Sequence, residues 1–447
     1  MAVQNDFSKG SILSHMARIA LPMTLAQFVN ILYNIIDRVF IGRIPDHATE
    51  ALTGLGVAFP ICTLAIAFAN LVGMGGAPLF SIERGKGNEE EAKYILGNSF
   101  SLLVVIGVVF SVVMFLVKRP MLYLLGASKN IYGYADSYLS IYLCGTLFVM
   151  LSLGMNAFIN AQGFANIGMM TVSIGAVCNL ILDPIFIFGY FGLPAFGVAG
   201  AAIATVIGQF SAASLAFVLF KKYYTHLHIS FKKFRVDFHV ISQLYSIAIP
   251  SSVMMCLPSV LVSLLNGILS SISQSAVAFF GVYYKLQTFI YMPTSGIVQG
   301  MRPLMSYNYG AKLKERMHQI LKVSGLVIAA ILGAGTLLFF IVPNVLLSLF
   351  NASSGMLEIG ETGLRILSLS FIVSSFGVLM SGVFEALGLG KYSLIVSLLR
   401  QLLITVPLAY ILLNIMGIEG IWLSFVIAEA IASIVAYILY HKKFKTI

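Results

Sequence analysis

The chain has 447 residues, of which 59% are hydrophobic and only 10% are charged, and its mean hydropathy is +0.95. A soluble protein of this length would expose far more polar surface, so the composition excludes a set of ordinary soluble domains. The net charge of +10 could indicate a nucleic-acid partner, but the basic residues cluster between apolar segments, as in membrane proteins. We therefore predict an all-α, polytopic membrane protein without a nucleic-acid partner.

Twelve apolar stretches fill almost the whole chain, and most are about 20–28 residues long, enough to cross a hydrocarbon layer about 30 Å thick. The first contains Asp37 and lacks a small-residue cleavage site, which indicates a retained helix rather than a signal peptide. The predicted transmembrane helices cover residues 17–42, 52–82, 95–117, 134–156, 166–190, 195–220, 241–270, 277–306, 320–342, 362–388, 392–415 and 418–440.

Most of the 27 Lys and Arg residues fall on the side of the predicted membrane that carries the N-terminus. Few lie on the opposite side: Arg43, Lys118, Arg119 and Lys129. Since cytoplasmic loops are enriched in Lys and Arg, both termini are predicted to be cytoplasmic.

The second half of the chain repeats the first at a spacing of about 225 residues. Six helices per half give both copies the same orientation, an arrangement typical of secondary transporters with a cavity between two lobes. We predict an N-terminal six-helix lobe (1–220), a basic cytoplasmic linker (221–240) and a C-terminal six-helix lobe (241–447), related by pseudo-symmetry. The matching segments include Pro78-Leu79-Phe80-Ser81 with Pro303-Leu304-Met305-Ser306, and Ala161-Gln162-Gly163 with Ala386-Leu387-Gly388.

One proline lies near the start of the first helix in each half, Pro22 and Pro250. Proline removes a helical hydrogen bond and permits a bend, so both are candidate hinges. Membrane helices also tolerate proline in general, which is the simpler interpretation.

Acids inside apolar helices indicate functional sites, because a bilayer is a poor solvent for charge. Asn30, Asn34 and Asp37 follow the spacing i, i+4, i+7 and predict one polar stripe on the first helix. Asn179 and Asp183 are four residues apart on the fifth helix and share a face. If the two faces meet, they form an oxygen-rich pocket that could bind Na⁺ or hold a proton.

Ionisable residues in the second half have two interpretations. Glu385 could bind substrate, or it could be neutralised by Arg302 or Arg400; Glu429 is equally ambiguous. Together with Lys285, the two arginines also leave open a cationic cavity for a pyrophosphate group. That cavity would suit the alternative function, a flippase for a lipid-linked or amphiphilic substrate.

Enzyme and ATPase motifs are absent from the sequence. It contains no GxxxxGK[ST], HExxH or GxSxG motif and no DxxxD magnesium motif. All seven histidines fall in predicted tails, loops or helix ends, which argues against histidine proton relays. We therefore predict a protein that is not an enzyme, needs no cofactor and draws its energy from an ion gradient.

Several segments together resemble the multidrug and toxic compound extrusion (MATE) transporters, in particular the bacterial DinF-like and MepA-like branch. The resemblance covers essentially the whole chain. The segments that carry it are Asn34-Ile35-Ile36-Asp37-Arg38, Gly73-Met74-Gly75-Gly76-Ala77-Pro78, Asn179-Leu180-Ile181-Leu182-Asp183-Pro184, Gly197-Val198-Ala199-Gly200 and Ser306-Tyr307-Asn308-Tyr309-Gly310.

The resemblance implies a two-lobe antiporter that exports organic, often cationic, compounds in exchange for Na⁺ or H⁺. It places the cation site on Asp37, Asn179 and Asp183, with Thr205 as a hydroxyl ligand and Tyr138 as a nearby tyrosine. It also implies a small-molecule substrate and a monomeric, multi-pass protein of the cytoplasmic (inner) membrane of a bacterium.

Overall fold

A computed structural model describes residues 6–45, 47–223, 237–350 and 353–444. These ranges are almost entirely helical and contain no β-strand, which confirms the predicted all-α membrane fold. Twelve long helices account for most of the described chain. They are α1 (Ile12–Ile41), α2 (Ala48–Gly85), α3 (Glu89–Leu124), α4 (Lys129–Ala161), α5 (Ala165–Phe188), α6 (Val198–Tyr223), α7 (Phe238–Ser270), α8 (Gln274–Gly310), α9 (Lys314–Ile341), α10 (Ser354–Ala386), α11 (Gly390–Met416) and α12 (Ile418–Phe444).

Eleven of these described helices are long and apolar enough to cross a membrane, judged by length and composition. The exception is α8, which spans 37 residues but carries Lys285 and Arg302. Each of the twelve overlaps one predicted segment, and most extend several residues beyond it.

Two local features of the helices were not predicted from the sequence. A π turn, Leu399–Leu403, interrupts α11. The wider turn frees backbone groups, and the hydroxyl of Thr405 donates to the carbonyl oxygen of Arg400 at 2.6 Å. A short helix, Pro343–Ser348, follows α9; its proline occupies the first turn, where a missing N–H breaks no helical hydrogen bond.

The described chain separates into two compact units. The N-lobe contains Leu21–Ala248, whereas the C-lobe contains Phe7–Ala20 and Ile249–Ile447. The boundaries therefore fall inside α1 and α7, beside Pro22 and Pro250. Most of the predicted linker at 221–240 lies outside the described residues, so the division at 220 and 241 stays a prediction.

The internal repeat is visible in matching hydrogen bonds. In the N-lobe, the hydroxyl of Ser81 in α2 donates to the carbonyl of Ala161 at the end of α4, at 3.5 Å. In the C-lobe, the hydroxyl of Ser306 in α8 donates to the carbonyl of Ala386 at the end of α10, at 2.6 Å. Each lobe thus joins its second and fourth helices by the same contact.

Glycine allows a close helix approach at one equivalent point in each lobe. A Cβ on Gly75 of α2 would lie 3.0 Å from the Cβ of Ala248 in α7, and also against the backbone of Leu244. A Cβ on Gly300 of α8 would lie 2.9 Å from the Cβ of Ala20 in α1. Small residues of this kind let membrane helices pack backbone to backbone.

The start of α1 is fixed within the C-lobe by Arg316. Its guanidinium donates to the carbonyl oxygens of Phe7 and Lys9, both at 2.7 Å, and of Gly10 at 2.9 Å. The side chain of Phe7 is almost fully buried against Tyr307. The segment before α1 is therefore held by the C-lobe.

The start of α7 is fixed within the N-lobe by Asp237. The hydroxyl of Tyr94 donates to the carboxylate of Asp237 at 2.7 Å. The backbone N–H of Asp237 donates to the side-chain oxygen of Asn98 at 2.8 Å. The carboxylate also accepts the backbone N–H of His239 at 2.8 Å. These hydrogen bonds lower the pKa of Asp237 below its ordinary value, and the one from Tyr94 has the largest effect.

Candidate cation site

Polar side chains from three N-lobe helices meet in the apolar interior. Asp37 of α1 is 9% exposed, Asp183 of α5 is fully buried, and Asn179 and Thr205 are nearly so. The four residues are those that the sequence and the family resemblance placed in one cation site. Their role in ion binding stays a prediction, while their common location is a structural fact.

Hydrogen bonds connect α5 with α6 at this point. The amide of Asn179 donates to the carboxylate of Asp183 and to the hydroxyl oxygen of Thr205, each at 3.2 Å. The approach depends on glycine, because a Cβ on Gly208 of α6 would lie 2.7 Å from the carbonyl oxygen of Gly175 in α5. Asn179 stands one helical turn after Gly175, so the close crossing brings its amide to Thr205.

The carboxyl groups of Asp37 and Asp183 lie within hydrogen-bonding range of each other. Two carboxylates at this range repel each other unless a proton or a cation lies between them. In addition, Asp37 Oδ1, Asn179 Oδ1 and Asp183 Oδ2 are buried and have no hydrogen-bond partner within the described chain. Buried oxygens normally have a partner, so three on adjacent side chains suit a positively charged ligand.

Phenol and thiol groups lie around the acids. Of these, Tyr138 was expected from the family resemblance, whereas Tyr33, Tyr142 and Cys62 were not. Tyr33 lies beside Thr205 and within electrostatic range of both acids and of Cys62. Tyr138 is buried and stacks on Tyr142, with ring centroids 6.2 Å apart. The sequence spacing could have predicted Tyr33 and Tyr142 near the site, because Tyr33 precedes Asp37 by one helical turn and Tyr142 follows Tyr138 by one turn.

The predicted stripe on α1 divides into two parts. Asn30 and Asn34 are both exposed, and the amide of Asn34 donates to the backbone and side-chain oxygens of Asn30 at 2.7 and 3.1 Å. Asp37 instead points into the lobe. The structure thus places the two asparagines outside the group of acids.

Both buried acids described in the C-lobe form ion pairs. Arg302 of α8 pairs with Glu385 of α10, and Arg400 of α11 pairs with Glu429 of α12 at 2.7 Å. Of the two neutralising partners considered for Glu385, the structure selects Arg302. Lys285 lies exposed on α8.

The donor set limits the chemistry of the N-lobe site. No group of three or more His, Cys, Asp or Glu side chains that could hold a metal occurs in the described ranges. Two carboxyl groups, one amide and one hydroxyl instead offer hard oxygen atoms, which suit a small hard cation or a shared proton. The four cysteines are free and make no disulfide among them.

Solved structures share this fold. A MATE transporter in its bent conformation superposes with a TM-score of 0.87 at 24% identity, covering 98% of this chain and 96% of its own. An outward-facing multidrug resistance MATE transporter of the MOP superfamily gives a TM-score of 0.83 at 24% identity, covering 98% and 97%. The two-lobe helical fold of this chain is thus the fold of these MATE structures.

Sequence relatives and a family model place the chain more narrowly. The multidrug export protein MepA of Staphylococcus saprophyticus is 25% identical over 97% of this chain and 94% of the relative. MepA of Staphylococcus aureus is 26% identical over the same shares. The MatE family model matches residues 22–185 and again residues 250–411. The chain belongs to the MatE family of transporters, which confirms the family resemblance found in the sequence.

Proposed function

We propose that the protein is a cation-coupled antiporter that exports organic, cationic compounds by alternating access, with Na⁺ or H⁺ as the coupling ion. The observation that carries this proposal is the buried pair of Asp37 and Asp183, with unpartnered oxygens beside it. The staphylococcal relatives are multidrug export proteins, which supports the substrate class.

The coupling step follows from electrostatics. With a cation or proton between them, Asp37 and Asp183 attract a common partner and hold α1 against α5. Without it, the two acids repel each other and favour a different position of α1. Pro22 removes one helical hydrogen bond in α1 and permits the bend that this movement requires.

The main experiment measures export of ethidium from proteoliposomes under an imposed Na⁺ or pH gradient. We expect Asp37→Asn and Asp183→Asn to abolish gradient-driven export, since each leaves only one acid at the site. Glu361→Gln, which breaks an exposed ion pair with Arg365, serves as the matched control and should export normally. Full export by the Asp37→Asn protein would contradict the proposal.

Thr205→Val distinguishes the two coupling ions. The substitution keeps the shape of the side chain and removes one oxygen ligand, while both acids remain. Under Na⁺ coupling, we expect the half-saturating Na⁺ concentration to rise about tenfold, since a ligand bond to a charged group contributes roughly 1.5–3 kcal/mol. Under H⁺ coupling, export driven by a pH gradient should persist.

The flippase alternative depends on free basic groups inside the protein. Arg302 and Arg400 are each paired with a glutamate, which reduces the positive charge available to a pyrophosphate. The antiporter is therefore the better-supported function. Translocation of a lipid-linked substrate, together with failure of both gradients to drive ethidium export, would reverse this preference.

We further propose that the protein acts as a monomer in the cytoplasmic membrane of a bacterium, with both termini in the cytoplasm. The distribution of Lys and Arg over the loops supports this orientation.

A further inference from the structure

One oxygen of the Glu429 carboxylate is buried and has no hydrogen-bond partner within the described chain. Both Nε and Nη2 of Arg400 donate to Glu429 Oε1, at 3.0 and 2.7 Å, which leaves Oε2 open. The residue is only 8% exposed. Because a buried carboxylate oxygen normally accepts hydrogen bonds, Oε2 marks a place where a donor or cation fits.

The internal repeat shows how this opening arises. In the N-lobe, the hydroxyl of Ser152 in α4 donates to the side-chain oxygen of Gln209 in α6 at 2.6 Å. In the C-lobe, the corresponding positions of α10 and α12 hold Gly377 and Glu429. The alignment follows from the last residues of α4 and α10 and from the glycines at the starts of α6 and α12, Gly197 (φ 56°) and Gly417 (φ 68°). The C-lobe therefore has an acid in place of the amide, and the donating hydroxyl is missing.

Space remains beside the open oxygen. A Cβ built on Gly377 would lie 3.9 Å from Glu429 Oε2 and 3.5 Å from the hydroxyl of Ser433. Both are ordinary van der Waals distances, so a methyl group would fit here and would cover Oε2. Glycine at this position leaves a gap of about the size of a methyl group beside the buried oxygen.

Tyrosines of α8 lie around the same ion pair. Tyr291 is within electrostatic range of Glu429 and Arg400, and its hydroxyl group is 2.6 Å from that of Ser374 in α10. Tyr284 is within electrostatic range of Arg400. Aromatic faces beside a carboxylate are a favourable environment for organic ammonium groups.

We propose that Glu429 Oε2 binds the positively charged group of an organic cation in a C-lobe subsite between Gly377 and Tyr291. Arg400, held on the π turn of α11, fixes the other carboxylate oxygen. One carboxylate can accept both partners, since its two oxygens offer about four lone-pair sites. This subsite rests on the proposed export of organic cations and supplies a substrate-binding group for it.

The test measures binding to the purified full-length protein in detergent. Equilibrium dialysis compares ethidium with phenanthridine, its uncharged parent ring system. The single tryptophan, Trp422, precedes Glu429 on α12 by about 10 Å along the helix axis, so its quenching by ethidium reports binding in this lobe.

Two variants remove the site in different ways. Gly377→Ala covers Oε2 and leaves the ion pair intact, whereas Glu429→Gln removes the charge. Because Glu429→Gln leaves Arg400 without its partner, the double variant Arg400→Gln/Glu429→Gln is measured beside it. Gly281→Ala on α8 is the control, since a Cβ there meets nothing within 4 Å.

We expect ethidium affinity to fall about tenfold or more in Gly377→Ala and in both Glu429 variants, with phenanthridine binding unchanged. Wild-type ethidium affinity in Gly377→Ala and in the double variant would overturn the subsite. The coupling site is tested separately, because Asp37→Asn should lose gradient-driven export and retain ethidium binding. A wild-type protein that binds ethidium but exports none would instead contradict the antiporter.

Discussion

Each of the two buried acids described in the C-lobe lies against an arginine, whereas the two described in the N-lobe lie against each other. A buried acid beside an arginine carries its counter-charge within the protein. The pair of Asp37 and Asp183 has none within hydrogen-bonding range and needs a cation or proton from outside. At the scale of single residues, this difference separates acids that depend on an external cation or proton for their counter-charge from acids that have an arginine as counter-charge.

A second residue-scale difference concerns Lys312, which has a φ of 57° in the turn after α8. The equivalent turn after α2 holds Gly87, with a φ of 76°. A non-glycine residue in this conformation costs about 1–2 kcal/mol. We expect Lys312→Gly to stabilise the protein by roughly 0.5–1 kcal/mol, less than the full strain because glycine is more flexible when unfolded.

Thermal unfolding in detergent measures this effect. Gly87→Ala is the matched control and should destabilise by a similar amount, since a Cβ there meets nothing within 4 Å and only the backbone strain remains. A lower melting temperature for Lys312→Gly would show that the lysine side chain makes a contact that outweighs its strain.

At the scale of helices, the close crossings at Gly75 and Gly300 determine where α7 and α1 run within their respective lobes. Each glycine lies in the second helix of one repeat and contacts the initial segment of the other repeat's first helix. These segments lie before Pro22 and Pro250. The glycine contacts therefore fix one part of a helix whose remainder belongs to the other lobe.

Substitution within α2 tests the crossing. Gly75→Ala should destabilise the protein by about 1–3 kcal/mol, because the added methyl group collides with the backbone of Leu244 and with Ala248. Gly56→Ala in the same helix should be neutral or slightly stabilising, since its Cβ meets nothing within 4 Å and alanine is the better helix former. Equal melting temperatures for both variants would contradict the close packing.

The anchor of α7 is expected to depend on pH through Asp237. Since its pKa is lower in the folded protein than in the unfolded chain, the ionised carboxylate stabilises the anchor above the ordinary aspartate pKa. This stabilisation is lost as the pH falls through the folded pKa. The protection factor of the amides in the first turns of α7, which corrects the exchange rate for its intrinsic pH dependence, should therefore be constant near neutrality and fall in acid.

Asp237→Asn should accelerate the exchange already at neutral pH and remove the acid-dependent part. Tyr94→Phe should give an intermediate result, because the carboxylate keeps its hydrogen bond from His239. An unchanged acid profile in Asp237→Asn would assign the effect to other groups.

Helix positions followed from the sequence, because apolar length alone determines which segments can span a bilayer. The proximity of Asn179 and Asp183 followed from their spacing. The choice of Arg302 as the partner of Glu385, and of Arg400 as that of Glu429, did not, because it depends on helix rotation and crossing. The position of Tyr33 and Cys62 beside the N-lobe acids was not predicted either, because it depends on how α1 and α2 pack.

At the scale of the whole molecule, two copies of one backbone pattern carry unequal chemistry. The hydrogen bonds of Ser81 and Ser306 join equivalent positions in the two lobes, whereas the N-lobe acids and the C-lobe ion pairs have no such counterparts. Parallel repeats of this kind predict a common orientation of both lobes in the membrane. That orientation can be tested directly.

Labelling of single cysteines shows on which side of the membrane each loop lies. In a variant without its four native cysteines, Lys129→Cys should react with a membrane-impermeant maleimide in intact cells. Lys314→Cys should react only after permeabilisation, because it falls on the predicted cytoplasmic side. The opposite pattern would invert the predicted topology.

The polarity of α8 also has a consequence for biogenesis. Lys285 and Arg302 can each disfavour insertion of an isolated helix by up to about 3 kcal/mol at the bilayer centre. The counter-charge of Arg302 is Glu385, which lies on α10 and is synthesised two helices later. We therefore expect α8 to remain near the translocon until α10 emerges, so that the two helices enter the lipid together.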